Sequence, residues 1–205
     1  MKQKNFIDSH KGSTGILVLI LMAIYHQWGN PTAWIYLALH GTYGVLWVLK
    51  SRVFPDQAWE KETGWGFGLV IWGSLSLYWV APWVLMARNV QAPLWLLGLC
   101  ISLFTFGIFA HFVSDMQKSV ALQLQPEHLI TDRMFARVRN PNYLGELLIY
   151  GAFAILTMHW LPAAILLVWI VFYWLPRMRK KDQTLATLEG FREYRKKSKL
   201  FLPFL

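Results

Sequence analysis

The chain has 205 residues, of which 56% are hydrophobic and 16% aromatic, and its formal net charge at pH 7 is +9. That hydrophobic share is more than one soluble core of this length buries, which excludes an ordinary soluble domain and favours a membrane protein. The basic residues fall in the gaps between apolar runs and not on a surface interleaved with aromatics, so the charge does not indicate nucleic acid.

Six apolar runs follow one another along the chain, each near the length that a helix needs to cross hydrocarbon. They cover residues 15–28, 33–49, 66–86, 92–113, 144–158 and 161–175. The only cysteine, Cys100, lies inside the fourth run, which excludes a disulfide framework, and we predict no metal site. Only His159 and Trp160 separate the last two runs, which predicts a tight helical hairpin. The sequence thus predicts an all-α, polytopic, single membrane domain with about six transmembrane helices and a basic C-terminal tail.

The basic residues predict how these helices are oriented, because Lys and Arg accumulate in the short cytoplasmic loops of membrane proteins. In a six-span arrangement, nineteen of the twenty basic residues fall on one face and Arg88 alone lies opposite. Both termini are therefore predicted to be cytoplasmic. The lysines before the first run resemble a signal peptide, but no clear small-residue cleavage site follows, so we predict a retained first helix. A site that opens to this basic face would suit an anionic cofactor.

A polar decapeptide, RVRNPNYLGE at residues 137–146, precedes the fifth apolar run. Pro141 lacks a backbone donor but fits the first turn of a helix, so a helix is predicted to begin there, with Asn140 as its N-cap.

One face of that predicted helix carries polar groups, because Asn142, Glu146 and Tyr150 recur every four residues. A carboxylate at Glu146, inside an apolar helix, costs free energy unless it is paired or faces a wet cavity. This makes Glu146 a candidate functional residue. The alternative is that Arg137 or Arg139 neutralises it as a structural ion pair.

Two further polar clusters lie at the same predicted boundary. His111, Asp115 and Lys118 end the fourth run, and the segment RMRKKDQ at residues 177–183 follows the sixth. The alternatives are an ordinary helix end with Asp115 paired to Lys118, and a basic run that only contacts membrane lipid headgroups. Three polar clusters on one face nevertheless indicate a common site.

The stretches SDMQK, NYLGELLIYGAFAILTMHWLPA and EYRKKSKLFLPFL resemble the C-terminal half of the steroid 5α-reductases and their bacterial relatives. Those membrane enzymes use NADPH to reduce activated carbon-carbon double bonds. The matching positions are Ser114, Asp115, Asn142–Glu146, Leu161, Pro162, Pro203 and Phe204. The sterol reductases resemble Arg139–Gly145 still more closely, and their Arg-x-x-Asp pattern matches Arg179 and Asp182. The resemblance covers residues 105–205.

This resemblance implies an integral membrane reductase that takes NADPH and a lipidic, steroid-like or enone substrate from the bilayer. It implies substrate-side helices in residues 1–104 and a cofactor-binding half in residues 105–205. Arg139 and Arg179 would engage cofactor phosphates, while Asp115 and Asn142 would hydrogen-bond ribose or amide groups. The other residues predicted to bind the cofactor are His111, Lys118, Arg137, Tyr143 and Asp182.

The proton donor is predicted from residue type alone. Steroid 5α-reductases carry a Gln-Glu pair and a Tyr in their early helices, which polarise the substrate carbonyl. The residues of the same kind in this chain are Gln57, Glu60 and Tyr78, and His40 and Tyr43 lie three apart in the second run. The predicted catalytic residues are therefore Glu146, Tyr43 and Tyr78. The alternative is that a buried His or Tyr in a membrane helix only forms a hydrogen bond that holds neighbouring helices together.

A second resemblance leaves the chemistry open. Isoprenylcysteine carboxyl methyltransferases and phospholipid methyltransferases carry Arg-His-Pro-x-Tyr-x-Gly, which aligns with residues 139–145, although Asn140 replaces the His. Asp182 and Gln183 replace the Glu-Glu pair that those enzymes carry after the hairpin. In that alternative, the arginines and Asp182 would hold S-adenosylmethionine for methyl transfer to a lipidic acceptor. A non-enzymatic scaffold is a further alternative, whereas a transporter would need polar groups near the middle of the bilayer.

Overall fold

The computed structural model describes residues 1–203, which form helices and connecting turns with no strand among them. The helices are α1 (Gln3–Ile24), α2 (Pro31–Val53), α3 (Trp65–Leu75), α4 (Val80–Ala87), α5 (Leu94–Leu124), α6 (Pro141–Leu156), α7 (Trp160–Trp169), α8 (Leu175–Leu185) and α9 (Phe191–Lys197). A 3-10 turn joins α3 to α4, and a π-helical turn joins α7 to α8. Phe204, which belongs to the resemblance, lies outside the described residues.

Five helical segments within residues 1–203 are long and apolar enough to cross a membrane. They are Gln3–Ile24, Pro31–Val53, Trp65–Ala87, Leu94–Leu124 and Trp160–Leu185. Large apolar side chains on these segments are exposed, among them Leu94 at 85% and Phe172 at 75%. Exposure of this kind suits a lipid environment and would be a liability in water. The protein is therefore an integral membrane protein, as the composition predicts.

The helices extend further at their charged ends than the apolar runs predicted. α1 begins at Gln3 and not at residue 15, so Lys11 lies within the helix and is only 7% exposed. Lys50 lies inside α2 and is 5% exposed. The treatment of these two lysines as loop charges was wrong, because a long lysine stem can lie along apolar neighbours while its ammonium finds partners.

The described helices form two compact units. The first unit comprises Met1–Phe104 with Tyr150–Leu166, and the second comprises Thr105–Ile149 with the chain from Leu167 onward. Residues 150–166 therefore group with the N-terminal half of the chain. Because of this division, α5, α6 and α7 each contribute residues to both units.

Within the first unit, α1 and α2 approach each other at a glycine. A Cβ atom on Gly44 would lie 2.1 Å from the backbone oxygen of Lys11, so the approach depends on the absence of a side chain. The start of α2 is fixed by Asn30, whose side chain accepts a hydrogen bond from the backbone N–H of Thr32 at 2.9 Å. These features fix α2 beside α1 and hold Lys11 in place.

The start of α1 is bound to the loop that follows α2. The ammonium groups of Lys2 and Lys4 both donate to the Glu60 carboxylate, at 2.7 Å in the case of Lys2. These hydrogen bonds hold the pKa of Glu60 below its ordinary value of 4.5. A carboxyl group whose pKa is lower in the folded than in the unfolded state stabilises the fold at pH values above its unfolded-state pKa. This stabilisation is lost as the pH falls through the folded-state pKa.

We therefore expect Glu60→Gln to reduce the loss of stability that occurs below about pH 4.5. The measurement is the midpoint of thermal unfolding in detergent between neutral and acidic pH, followed by tryptophan fluorescence. Glu62→Gln, in the same loop, is the control and should follow the parent. If all three proteins lost stability in parallel as the pH fell, the contact between Glu60 and the lysines would not contribute.

Candidate functional site

The segment before α6 binds the C-terminal tail through a buried arginine in the second unit. Arg139 donates through Nε to the Asp182 carboxylate at 3.0 Å and through Nη1 to the Ser198 backbone oxygen at 2.6 Å. Its Nη2 forms an ion pair with Asp182 Oδ2 at 3.0 Å. The Arg139 and Asp182 side chains are only 7% and 13% exposed. A guanidinium held in this way is charge-assisted and directional. The arginine predicted to engage phosphate is thus bonded to protein groups.

Asn140 connects α8 and the tail to the start of α6. It is fully buried, its Nδ2 donates to the Leu200 backbone oxygen at 3.0 Å, and its Oδ1 accepts from Lys181 Nζ at 3.0 Å. The backbone adds two bonds, from Arg139 N to the Lys199 oxygen at 2.9 Å and from Lys199 N to the Arg137 oxygen at 2.8 Å. The decapeptide therefore holds the tail through both its side chains and its backbone.

A buried histidine lies between two carboxylates where α5 meets α6 in the second unit. His111 Nε2 is 4.0 Å from Asp115 Oδ2 and 4.0 Å from Glu146 Oε1. This close approach depends on Gly145, where a Cβ atom would lie 2.4 Å from the His111 backbone nitrogen. Three residues that the sequence singled out thus come together. The alternative pairing of Glu146 with Arg139 does not form among the described residues, since Asp182 and the tail take the guanidinium.

A second cluster of polar and aromatic side chains lies at the π-helical turn Ile170–Trp174. Arg177 Nη1 donates to the Tyr173 hydroxyl at 2.9 Å and lies over that ring, 5.2 Å from its centroid. Tyr143, predicted to bind the cofactor, packs against Trp174 with ring centroids 5.4 Å apart. Turns of this type are frequent at functional sites because they displace a short stretch of side chains from the regular helical register.

The remaining predicted residues of the second unit are accessible. Arg137 and Arg179 are exposed, whereas Lys118 and Asn142 are half-buried. Exposed guanidinium groups can bind phosphate with two parallel hydrogen bonds, and half-buried amides can bind ribose or carboxamide groups. These four side chains are therefore available to bind a ligand.

The first unit contains a buried lysine that was not among the predicted site residues. Lys11 Nζ donates to the Tyr150 hydroxyl at 2.6 Å and to the Tyr43 hydroxyl at 3.2 Å. It also lies 4.0 Å from the Trp47 ring centroid, within cation-π range. The spacing of five residues could have revealed it. They recur at intervals of three and four ahead of the first apolar run, and α1 buries all of them. They are Phe6, Ile7, His10, Lys11 and Thr14.

Three tyrosines surround this ammonium. Tyr78 stacks on Tyr150 with ring centroids 4.1 Å apart, and Tyr43 meets Tyr150 edge-on at 5.8 Å. The structure thus brings together two of the predicted catalytic residues, Tyr43 and Tyr78. It adds Tyr150, which was predicted only to share the polar face of α6.

Two adjoining clefts of the first unit share Tyr78 and Tyr150. The one we call the lysine cleft is narrow and includes Lys11 and His10 in its wall. The other, which we call the apolar cleft, is also narrow and includes Phe153 in its wall. Ligand sites commonly combine an apolar wall with a few polar groups that fix orientation. The two clefts together present an apolar wall beside the ammonium of Lys11 and the hydroxyls of Tyr78 and Tyr150.

The other residues considered for polarising a carbonyl have different surroundings. Gln57 and Glu60 lie in the loop after α2, where Glu60 is bonded to lysines, and neither lines the lysine cleft or the apolar cleft. His40 lines the lysine cleft, and its Nδ1 is 2.9 Å from the Tyr36 hydroxyl. His40 also stacks on Phe153 with centroids 4.1 Å apart, as expected of a packed histidine.

Comparison with known proteins identifies a family for the greater part of the chain. A family model described as 3-oxo-5-alpha-steroid 4-dehydrogenase matches residues 65–205, which is more than half of the chain. No curated protein and no solved structure matches the chain. The match confirms the resemblance to the steroid 5α-reductases and gives no support to the methyltransferase alternative. The chain therefore belongs to the 3-oxo-5-alpha-steroid 4-dehydrogenase family.

Proposed function

We propose that the protein is an integral membrane reductase that uses NADPH to reduce a carbon-carbon double bond in a lipidic, steroid-like enone. Family membership supports an oxidoreductase of this substrate class with a nicotinamide cofactor. The observation that carries the proposal is the polar cluster of the second unit. In it, His111 Nε2 lies 4.0 Å from Asp115 Oδ2 and 4.0 Å from Glu146 Oε1. Groups of this kind inside membrane helices are costly and mark functional sites by default.

In this proposal, the second unit binds the cofactor. Arg137 and Arg179, which are exposed, bind its phosphates, and Lys118 adds positive charge. Asn142 and Tyr143 donate or accept hydrogen bonds at ribose or carboxamide groups, against the polar wall of His111, Asp115 and Glu146. NADPH, when bound, supplies the hydride.

The buried pair of Arg139 and Asp182 has a supporting role in this proposal. Its hydrogen bonds at 3.0 Å hold α8 beside the start of α6, and so fix the neighbouring residues Arg179 and Asn142 within their helices. We assign the lipidic substrate to the first unit, whose clefts are lined mainly by aromatic and aliphatic groups.

We also propose six membrane spans with both termini in the cytoplasm. The sixth span would be α6, which has 16 residues and is slightly shorter than the roughly 20 that a helix needs to cross hydrocarbon. With the buried Lys11 and Lys50 set aside, six spans leave seventeen of the other eighteen basic residues on one side of the membrane, in accord with the accumulation of positive charge in cytoplasmic loops.

Asn142→Ala and Arg179→Ala are each expected to weaken NADPH binding about tenfold or more, because each removes one polar contact to the cofactor. Arg179 is exposed, so its loss should leave the folded fraction unchanged. The measurement is calorimetric titration of the detergent-purified protein with NADPH. Arg192→Ala, which removes an exposed arginine of α9, is the control.

Parental affinity in the folded variants would remove both residues from the cofactor site. A parallel titration with S-adenosylmethionine distinguishes the two classes of chemistry. Saturable binding of S-adenosylmethionine without binding of NADPH would overturn the reductase proposal.

A further inference from the structure

The basic side chains on the outside of α9 are largely without partners in the described part of the chain. Residues 191–199 include five basic residues and one acidic residue. The acidic one, Glu193, pairs with Lys196 at 2.7 Å, and both side chains are largely exposed, so this pair contributes little to stability. The other four basic residues are exposed, and their side chains form no hydrogen bond, ion pair or ring contact within residues 1–203. These four, which we call the basic surface, are Arg192, Arg195, Lys197 and Lys199.

Other basic residues of the second unit are used by the fold. Arg139 is bonded to Asp182 and to the tail, and Lys181 Nζ donates to the Arg139 backbone oxygen at 3.0 Å. Arg177 donates to the Tyr173 hydroxyl at 2.9 Å. The basic surface makes no such contact within residues 1–203, so its charges are available to a ligand from outside the chain.

The opposite face of α9 fixes the direction of the basic surface. Phe191 and Tyr194 are 2% and 7% exposed, and they form an apolar cluster with Leu129. The Tyr194 hydroxyl donates to the Phe135 backbone oxygen at 2.6 Å. α9 is therefore attached to the second unit through one side, and its exposed basic side chains lie on the outside.

The end of α9 lies where an apolar helix begins. The Ser198 and Leu200 backbone oxygens accept hydrogen bonds from Arg139 and Asn140, which directly precede α6. Because α6 continues into the fifth apolar run, its first turn marks the boundary between membrane and water. α9 has seven residues and is about 10 Å long, so Arg192, at its far end, lies only about one short helix length from that region. This distance is comparable with the Debye length of about 8 Å at physiological ionic strength.

Apolar residues follow the basic surface directly. Leu200, Phe201 and Leu202 are half-buried, so each leaves part of its side chain accessible next to the same boundary. A basic segment beside accessible apolar side chains is typical of segments that bind at the interface of an anionic bilayer. A soluble anion would use the charges alone, whereas a lipid uses the charges and the apolar side chains together.

We propose that the basic surface binds the headgroups of anionic lipids in the adjacent leaflet, and that this contact stabilises α9 and the tail. The attraction is between guanidinium or ammonium groups and the lipid phosphates, and no covalent step is involved. Zwitterionic lipids carry no net charge and therefore bind this surface far more weakly. Lipid binding does not depend on the reductase chemistry, so either proposal can fail without the other.

The experiment measures hydrogen exchange of the backbone amides of residues 191–199 in the full chain. The protein is placed in nanodiscs of dioleoylphosphatidylcholine alone, or of an equimolar mixture with dioleoylphosphatidylglycerol, which is anionic. The test variant combines Arg192→Gln with Arg195→Gln. The matched control combines Arg52→Gln with Lys61→Gln, which removes the same charge from two exposed residues of the first unit. A second variant, Arg192→Lys with Arg195→Lys, keeps the charge of the surface.

In the parent, the anionic lipid is expected to slow exchange in residues 191–199 about tenfold, because bound headgroups stabilise the closed helix. The control and the lysine variant should show the same slowing. The glutamine variant should lose most of it. Salt at about 1 M should abolish the slowing in every protein, since the Debye length then falls to about 3 Å.

Equal exchange of the parent in the two kinds of nanodisc would overturn the proposal. An equal loss of slowing in the control and in the glutamine variant would also overturn it, because the effect would then come from total charge and not from this surface. NADPH is added to the zwitterionic nanodiscs as a further comparison. If NADPH slowed exchange in these residues and the anionic lipid did not, the surface would belong to the cofactor site. Each protein is compared with its own exchange in zwitterionic lipid, so a change in the intrinsic stability of α9 does not affect the outcome.

Discussion

Arg139→Ala is expected to lower the free energy of unfolding by about 3–5 kcal/mol. The substitution leaves the Asp182 carboxylate, which is 13% exposed, without the guanidinium that donates to it at 3.0 Å. It also removes the 2.6 Å hydrogen bond to the Ser198 backbone oxygen. The uncompensated charge of Asp182 and the unbonded carbonyl of Ser198 both lower the free energy of unfolding. The measurement is the midpoint of thermal unfolding in detergent, together with the rate at which a protease cleaves the tail.

Two comparisons make this expectation specific. Arg139→Met combined with Asp182→Leu removes both charges at once, and should be much closer to the parent than Arg139→Ala, because neither charge remains buried. Arg137→Ala removes an exposed arginine two residues earlier and should change the stability by less than about 0.5 kcal/mol. If Arg139→Ala unfolded at the temperature of the parent and its tail were cleaved no faster, the buried pair would not hold the tail.

Gly44→Ala is expected to destabilise the protein by about 1–3 kcal/mol or more and to reduce its activity. The new Cβ atom would lie 2.1 Å from the backbone oxygen of Lys11, and that oxygen cannot move unless α1 moves with it. A shift of α1 changes the distances from Lys11 to the hydroxyls of Tyr43 and Tyr150. The measurements are the unfolding midpoint and the NADPH-dependent rate of reduction of a steroid that carries a conjugated enone.

Gly41→Ala is the matched control, because it lies on the same helix three residues earlier. Its Cβ atom would approach the Gly15 Cα only to 3.5 Å, which is ordinary van der Waals contact. Alanine also favours the helix by up to about 1 kcal/mol over glycine, so this variant should be at least as stable as the parent. Equal unfolding midpoints for Gly44→Ala and Gly41→Ala would contradict the tight crossing of α1 and α2.

The helices were largely predictable from the sequence, because a membrane helix is specified by a local property. Each of the six apolar runs overlaps a helix, and α6 begins at Pro141 as predicted. The errors lie where charge and burial coincide. Lys11 and Lys50 ended the predicted runs because a hydropathy pattern counts an ammonium as polar wherever its partners lie.

The predicted site was harder to obtain from the sequence because partners are distant in the chain. Positions on one helix follow from periodicity, as in the case of His111 and Asp115, which are four apart and lie together. Arg139 and Asp182 are 43 residues apart, and Lys11 and Tyr150 are 139 apart. Spacing on a helix says which side chains share a face, but not which helix packs against that face.

The hydrogen bonds at the start of α6 have a consequence for how the protein is made. Arg139 and Asn140 are bonded to backbone oxygens 59 and 60 residues further along the chain. While the ribosome is still synthesising α7 and α8, the backbone oxygens that accept from these two side chains do not yet exist, so the side chains must stay hydrated. The helices can therefore insert into the membrane before the second unit closes. Closure of the second unit then waits until residues 198–200 have been synthesised.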